Sequence, residues 1–165
     1  MSNEYKDWLA DLTPVQRSNY ALCMQWPILI PHDKIDDGNW EYDYTLLDDM
    51  PDGWRKAFGN QFAEDLQQAY NLLPDVDKDC VYIKCLKEKY GYLHIYLSSY
   101  TPFIRDVCTK YEKLSRKVCI HCGEPATRVS TDWISPWCDS CAEKINDKTV
   151  SLEEWYKDHD HEMTE

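Results

Sequence analysis

No stretch of this 165-residue sequence approaches the ~20 apolar residues that a membrane span requires. The longest apolar runs are Tyr20–Met24 and Trp26–Ile30, and Pro27 interrupts the second. The opening Met1-Ser2-Asn3-Glu4-Tyr5-Lys6 lacks the charged-then-apolar layout of a secretory leader, so the expected location is the cytoplasm. There is no GxGxxG, P-loop, HExxH or nucleophile elbow, and no other catalytic constellation; the expectation is a protein that is not an enzyme. Positive charge is also scarce: Lys+Arg is 18 against Asp+Glu 30, a net charge of −12. What the chain has instead is apolar and aromatic material. Apolar residues make up 43%, with 7 Trp, 12 Tyr and 3 Phe, enough for a modest core; mean hydropathy is −0.67. Membrane, collagen-like and disordered low-complexity classes are excluded.

The charge is uneven. Residues 1–104 hold 17 acidic and 9 basic side chains, 105–145 hold 6 and 7, and 146–165 hold 7 and 2. A body this acidic repels phosphate at long range, so duplex nucleic acid is a poor default partner. The same surface suits solubility, a basic protein partner, or imitation of nucleic-acid charge.

Eight cysteines without a leader are expected to be reduced, and their spacing decides their role. Cys23, Cys80, Cys85 and Cys108 are scattered and read as small core residues rather than nucleophiles. Cys119-x2-Cys122 and Cys138-x2-Cys141 form two pairs separated by fifteen residues, the spacing of a structural four-cysteine zinc site. A redox motif needs only one such pair. In the first, Gly123 follows Cys122 and allows the positive φ of a tight knuckle. The second runs into helix formers, Ala142-Glu143-Lys144-Ile145, so its thiolates fall at a helix start, whose positive end favours them. With short strands expected at Thr127–Val129 and Thr131–Ile134 between the pairs, the arrangement reads as treble-clef-like. His121, inside the first knuckle, is a substitute ligand or an exposed side chain. Four protein ligands close the site, making it structural rather than catalytic. Four thiolates plus Zn²⁺ would take the formal charge from −12 to −14.

The rest predicts an α+β fold: amphipathic helices packed on a small antiparallel β-hairpin. Tyr5, Trp8, Leu9 and Leu12 have helical spacing, and Thr13-Pro14 opens a helix towards Met24. The chain from Pro27 to Asp37 reads as a loop, after which Trp40, Tyr42 and Tyr44 alternate with Glu41 and Asp43 as a half-buried strand. Trp54, Phe58, Phe62, Leu66, Ala69 and Leu73 mark the best helix, stopped by Pro74. Val81–Lys89 and Tyr92–Ser98 flank Tyr90-Gly91 as a hairpin, with Leu93, Ile95 and Leu97 on one face and Tyr92, His94 and Tyr96 on the other; Lys84–Lys89 as a helical turn is the alternative. Thr101-Pro102 caps a helix carrying Ile104, Val107, Cys108, Tyr111 and Leu114. Ser151 and Glu154 suggest a capping box, with Val150 and Trp155 as a staple. The organisation read from these signals is an acidic α+β domain at 1–116, a zinc module at 117–148, and a short capped helix with an acidic tail at 149–165.

Of two further metal readings, one fails and the other is outweighed. Asp33, Asp37 and Gly38 match a calcium loop, but Ile35 and Tyr44 stand where oxygen ligands are needed. His159-Asp160-His161-Glu162 lies in a polar tail that reads as a solvated end.

Asp52-Gly53-Trp54-Arg55, the stretch Ile83-Lys84-Cys85-Leu86-Lys87-Glu88-Lys89-Tyr90-Gly91-Tyr92-Leu93-His94-Ile95-Tyr96, and Ser115 shortly before Cys119-Ile120-His121-Cys122-Gly123 resemble a family of small uncharacterised phage and prophage proteins. That family has a Gly-Trp near an amphipathic helix, a KEKFGGLR-like hairpin, a Glu/Ser-bearing helix and a terminal four-cysteine zinc module. The resemblance covers about residues 52–142, with Tyr92 in place of the usual second Gly and His94 in place of the usual Arg. It implies a viral protein in a bacterial host cytoplasm and supplies no activity.

The resulting expectation is an acidic zinc-binding phage accessory protein that works by protein–protein contact. It would inhibit a host defence or nucleic-acid-handling complex, in an anti-CRISPR-like or DNA-mimic-like manner, through a basic host protein. Aromatic side chains supply contact area and carboxylates steer approach. Candidate contacts are Asp36, Asp37, Trp40, Tyr42 and Asp43, with His94 on the hairpin. The alternative is a nucleic-acid-binding zinc-finger regulator using Arg105, Lys110, Lys113, Arg116, Lys117 and Arg128.

Overall fold

In α1 (Pro14–Gln25), Thr13 is extended and its hydroxyl accepts from the Gln16 amide at 3.2 Å. The Gln16 side chain accepts from the Thr13 amide at 2.8 Å, so both orphan donors are satisfied, and Pro14 takes the first helical position. The computed structural model describes residues 8–35 and 40–159; residues 8–11 are helical, and the remainder of the helix expected around Tyr5 lies outside the described residues. The expected Pro27–Asp37 loop is instead a 3₁₀ turn, Pro27–Leu29, followed by a helical turn, His32–Ile35. The first turn sinks Ile28 and Leu29 into the core, and the Ile28 amide donates to the buried Gln67 side chain at 2.8 Å.

The strand expected over Trp40–Tyr44 does not form. Tyr42 has φ +60°, which breaks an extended alternation, and among the described residues no neighbouring strand pairs with it. Trp40 and Tyr42 both pack against the core rather than opposing Glu41 and Asp43 across a sheet.

The central helix, α2, runs through Asp52–Trp54, a π-helical Arg55–Gly59 and Asn60–Asn71. Trp54, Phe58, Phe62 and Leu66 follow one another at four-residue steps, each overrunning a 3.6-residue turn by about 40°. A wider π turn absorbs part of that drift and keeps the four side chains, all buried, on one face. Strands β1 (Ile83–Lys89) and β2 (Tyr92–Leu97) form the expected antiparallel hairpin, with Leu86 opposite Ile95 and Lys87 opposite His94. Leu93, Ile95 and Leu97 are buried, whereas Tyr92, His94 and Tyr96 are half-buried on the other face.

Helix α3 (Pro102–Ser115) lies along the outer edge of β2. Three edge amides that would otherwise lack partners find side chains: Leu93 donates to Ser115 Oγ at 2.8 Å, Ile95 to Glu112 at 3.2 Å and Leu97 to Tyr100 Oη at 3.2 Å. The edge is thereby closed to further pairing. Thr101 makes no side-chain cap bond, contrary to expectation; Pro102 alone marks the helix start. Tyr111 packs on Phe58 and Phe62, and its hydroxyl donates to Asp65 at 2.6 Å, tying α3 to α2. One apolar cluster unites α2, α3, the hairpin and the 26–30 turn.

Beyond α3, β3 (Arg128–Ser130), β4 (Ser135–Trp137) and β5 (Thr149–Ser151) form an antiparallel sheet in the order β4-β3-β5. The second strand expected here, Thr131–Ile134, is a turn, held by Asp147 accepting from the Asp132 and Trp133 amides, each at 3.2 Å. Helix α4 (Asp139–Ala142) follows β4, and α5 (Leu152–Asp158) follows β5. Ser151 precedes α5 but makes no side-chain cap bond, so the predicted capping box is absent. Residues 160–165 lie outside the described residues.

Candidate metal centre

The first cysteine pair stands on a knuckle closed by its own backbone. The Cys119 amide donates to the Glu124 carbonyl at 2.7 Å, and the Gly123 amide to the Cys119 carbonyl at 3.1 Å. Gly123 has φ +84°, a conformation that side chains resist. The second pair arrives from β4: Cys138 is the N-cap of α4 and Cys141 lies within that helix. The two halves are joined by the Ile120 amide donating to Pro136 and the Thr127 amide donating to Trp137, both at 2.9 Å.

This framework converges the four sulfurs. Sγ of Cys119, Cys122, Cys138 and Cys141 all lie within 4.8 Å of one another, with Cys122 and Cys138 3.6 Å apart. A tetrahedron with Zn–S near ~2.3 Å has S···S edges of about 3.8 Å. The four thiols are therefore close enough to hold a metal ion such as zinc, as the spacing predicted. Their titration fits the same use. The Cys138 thiol is pulled down to about 6, first by the Ser140 hydroxyl, while burial and its neighbouring thiols push Cys141 up to about 12. One thiolate forms readily beside the others and the next is resisted, a balance that a bound dication would shift towards four thiolates. His121 is exposed and outside the sulfur cluster.

The knuckle is seated on the start of α2. The Gly53 amide donates to the Ile120 carbonyl at 3.0 Å, and the fully buried Trp54 indole donates to the Val118 carbonyl at 3.0 Å. A Cβ at Gly53 would lie 2.2 Å from the Cys119 carbonyl oxygen, so only glycine permits this approach. On the other side, β5 and α5 follow the cysteine segment, and the Tyr156 hydroxyl donates to the Arg116 carbonyl at 3.0 Å.

The predicted partner contacts divide. Asp36 and Asp37 lie outside the described residues. Trp40 and Tyr42 pack at a tilt with ring centres 4.2 Å apart, and Tyr42 meets Tyr20 edge-on at 5.1 Å and Trp8 at 6.0 Å. The left-handed Tyr42 backbone is held by the buried Asn19, whose amide donates to the Tyr42 carbonyl at 2.8 Å. Asp43 accepts from Gln16 at 2.9 Å. A groove of about 580 Å³ runs beside these rings, with Asp11 and Glu41 on its wall. His94 belongs elsewhere: it lies between Tyr92 and Tyr96 on the hairpin, and burial with nearby Lys89, Arg116 and Lys87 holds its imidazole below the ordinary histidine range.

Cys23 and Cys108 are buried thiols pushed up to about 12 by desolvation, as inert core residues should be. Cys85 is half-buried and Cys80 exposed. Among the described residues, no helix is long and apolar enough to cross a membrane. Comparison with protein-family models, curated proteins and solved structures finds no match to the chain.

Residue-level reading missed the roles of Gly53, Trp54 and Ser115 as the parts that seat the cysteine knuckle and close the sheet edge; helical periodicity marked Trp54 only as a core residue, and the family resemblance alone singled out Gly53 and Ser115. Trp8, Tyr20 and Asn19 carried a helical pattern and nothing that paired them with Tyr42. Their partners are more than twenty residues away, beyond any local periodicity.

Proposed function

We propose that the protein is a zinc-folded binding protein without catalytic activity, which acts by occupying a basic surface on a nucleic-acid-handling partner. One zinc ion in a treble-clef-like module would be structural, since four cysteines leave no position for water or substrate. The observation that carries the binding reading is the aromatic groove at Trp8, Trp40 and Tyr42 with its carboxylate wall. Three of its lining residues belong to the stretch 40–52, which holds five Asp and Glu and no Lys or Arg. Aromatic faces attract guanidinium and ammonium groups, and clustered carboxylates raise the on-rate for a basic surface. The resemblance to phage and prophage accessory proteins agrees with a host complex as the target.

The test is titration of the zinc-loaded chain with an arginine-rich peptide, read by tryptophan fluorescence, beside the variants Trp40→Ala and Glu41→Lys. The expected result is saturable binding that weakens with salt and drops about tenfold or more in each variant. Binding that is absent, or equal in all three proteins, contradicts the proposal.

A further inference from the structure

The outward face of the hairpin reverses the sign of the molecule. Residues 84–117, which span both strands and α3, carry eight Lys and Arg against three Asp and Glu, within a chain of net charge −12. Three of these cations gather around one column of rings. The Arg116 guanidinium sits over Tyr92 at 3.8 Å, Tyr92 meets His94 at a tilt at 4.1 Å, His94 stacks with Tyr96 at 5.9 Å, and the Lys87 ammonium is over Tyr96 at 4.9 Å. Lys89 extends from the same strand face, opposite Tyr92.

Among the described residues, no carboxylate pairs with any of these three cations. Lys34, Arg55, Lys78, Lys110 and Lys157 each have a carboxylate within 4.0 Å; among the described residues Lys87, Lys89 and Arg116 have none. The nearby carboxylates are engaged inwards: Glu112 accepts from the Ile95 amide, and Glu88 accepts from the Gly91 amide at 2.8 Å. Acidic residues outnumber basic ones in this chain, yet three cations converge on a histidine that itself resists protonation.

We infer that this face is a binding site for the phosphate backbone of a single-stranded nucleic acid, with Lys87, Lys89 and Arg116 as the phosphate contacts. Single strands are held by this combination of a cationic track and ring surfaces on a sheet. Further rings are available where the strand would continue. Gly91 abuts Ile134, so the hairpin turn and the 131–134 turn touch, and Tyr90 and Trp133 there are 69% and 72% exposed. A rigid duplex would bring many more phosphates against the acidic body, whereas a single strand can follow a short track. At physiological salt the body's repulsion is screened beyond about 8 Å, leaving the local face to decide. This site goes beyond the proposed function: the groove at Trp40 takes cations, and the hairpin takes anions.

The experiment is fluorescence anisotropy of a labelled oligo-dT strand titrated with the full zinc-loaded chain across a salt series. Three phosphate contacts predict a log K against log salt slope of about −2, at roughly 0.7 per phosphate for single strands. The double variant Lys87→Glu/Lys89→Glu is expected to lose about tenfold or more in affinity and to flatten that slope, while Lys144→Glu, exposed on the cysteine segment, changes neither. Zinc content and melting temperature check that each variant folds, and the neutral pair Lys87→Ala/Lys89→Ala replaces the first if it does not. No anisotropy change at the lowest salt, or unchanged affinity in the folded double variant, overturns the inference. So does displacement of the strand by poly-glutamate as readily as by unlabelled oligo-dT, which would make the face a generic polyanion surface.

Discussion

Gly53 lies with its backbone against the carbonyl of Cys119, so closely that a single methyl at position 53 would stand 2.2 Å from that oxygen. The contact joins the start of the central helix to a candidate metal ligand. It is reinforced by the Gly53 amide on Ile120 and the Trp54 indole on Val118, each at 3.0 Å. Trp54 is fully buried in the main core, so the metal centre and the core share one residue pair as their hinge point.

Substituting Gly53→Ala should therefore separate the two halves or strain both. Because the obstacle is backbone on both sides, relief by a side-chain rotation is not open to it. The expected loss is about 3 kcal/mol or more of unfolding free energy, at the upper end of overpacking costs. Urea denaturation measures it; a variant as stable as the parent would show that the knuckle does not pack on α2 this way.

Removal of the metal should be felt at Trp54. With a strong chelator present, four thiols no longer fix the knuckle, and the Val118 carbonyl loses its place over the indole. The expected outcome is lost hydrogen-exchange protection of the Trp54 indole N–H, together with a lower melting temperature. An indole that remains protected after chelation would mean that the knuckle holds its shape through its own hydrogen bonds.

Ser115→Ala tests the sheet edge. Ser115 is fully buried, and its hydroxyl is the acceptor for the Leu93 amide while donating to the Glu112 carbonyl at 2.7 Å. Alanine leaves a buried amide unpaired, at a cost of about 1–3 kcal/mol. Amide exchange at Leu93 should accelerate selectively. Loss of stability without faster exchange at Leu93 would assign the effect to packing alone.

What was legible in the sequence follows from the range of the interaction. The four-sulfur cluster declares itself because two residues between cysteines is a distance set within a single turn. The hairpin was legible because Leu93, Ile95 and Leu97 keep a period of two across a Tyr90-Gly91 turn. Trp40, Tyr42 and Tyr44 show the same period and form no strand: Tyr42 turns left-handed, and its ring finds Tyr20 and Trp8 instead of a neighbouring strand. Ser151 has the spacing of a capping box, but β5 pairing with β3 continues through that residue. The seating of Cys119 on Gly53 links positions 66 residues apart, and no local pattern encodes it. Counting charge over 1–104 and 105–145 splits the hairpin from α3 and hides the cationic face that they form together.

His94 gives a pH prediction with a definite sign. Its folded value lies below the ordinary histidine range, through burial first and then Lys89, Arg116 and Lys87, so the unfolded chain takes up the proton first. As pH falls through about 6.5 towards the folded value, the unfolded state binds more protons and stability declines. The parent should lose stability relative to His94→Gln over that interval and match it in pH dependence above. NMR titration of the imidazole should show the value rising in Lys87→Ala/Lys89→Ala. A histidine titrating at or above 6.5 in the parent would remove the cationic environment from the account.

The central claim is that the two cysteine pairs clamp one metal ion, and the intact mass of the purified chain under non-denaturing conditions reports it directly. The account predicts a single species heavier by one zinc ion, less the protons that the thiols surrender, reverting to the bare chain on acidification. A bare mass, or one reduced only by the hydrogens lost on forming disulfides, would contradict it.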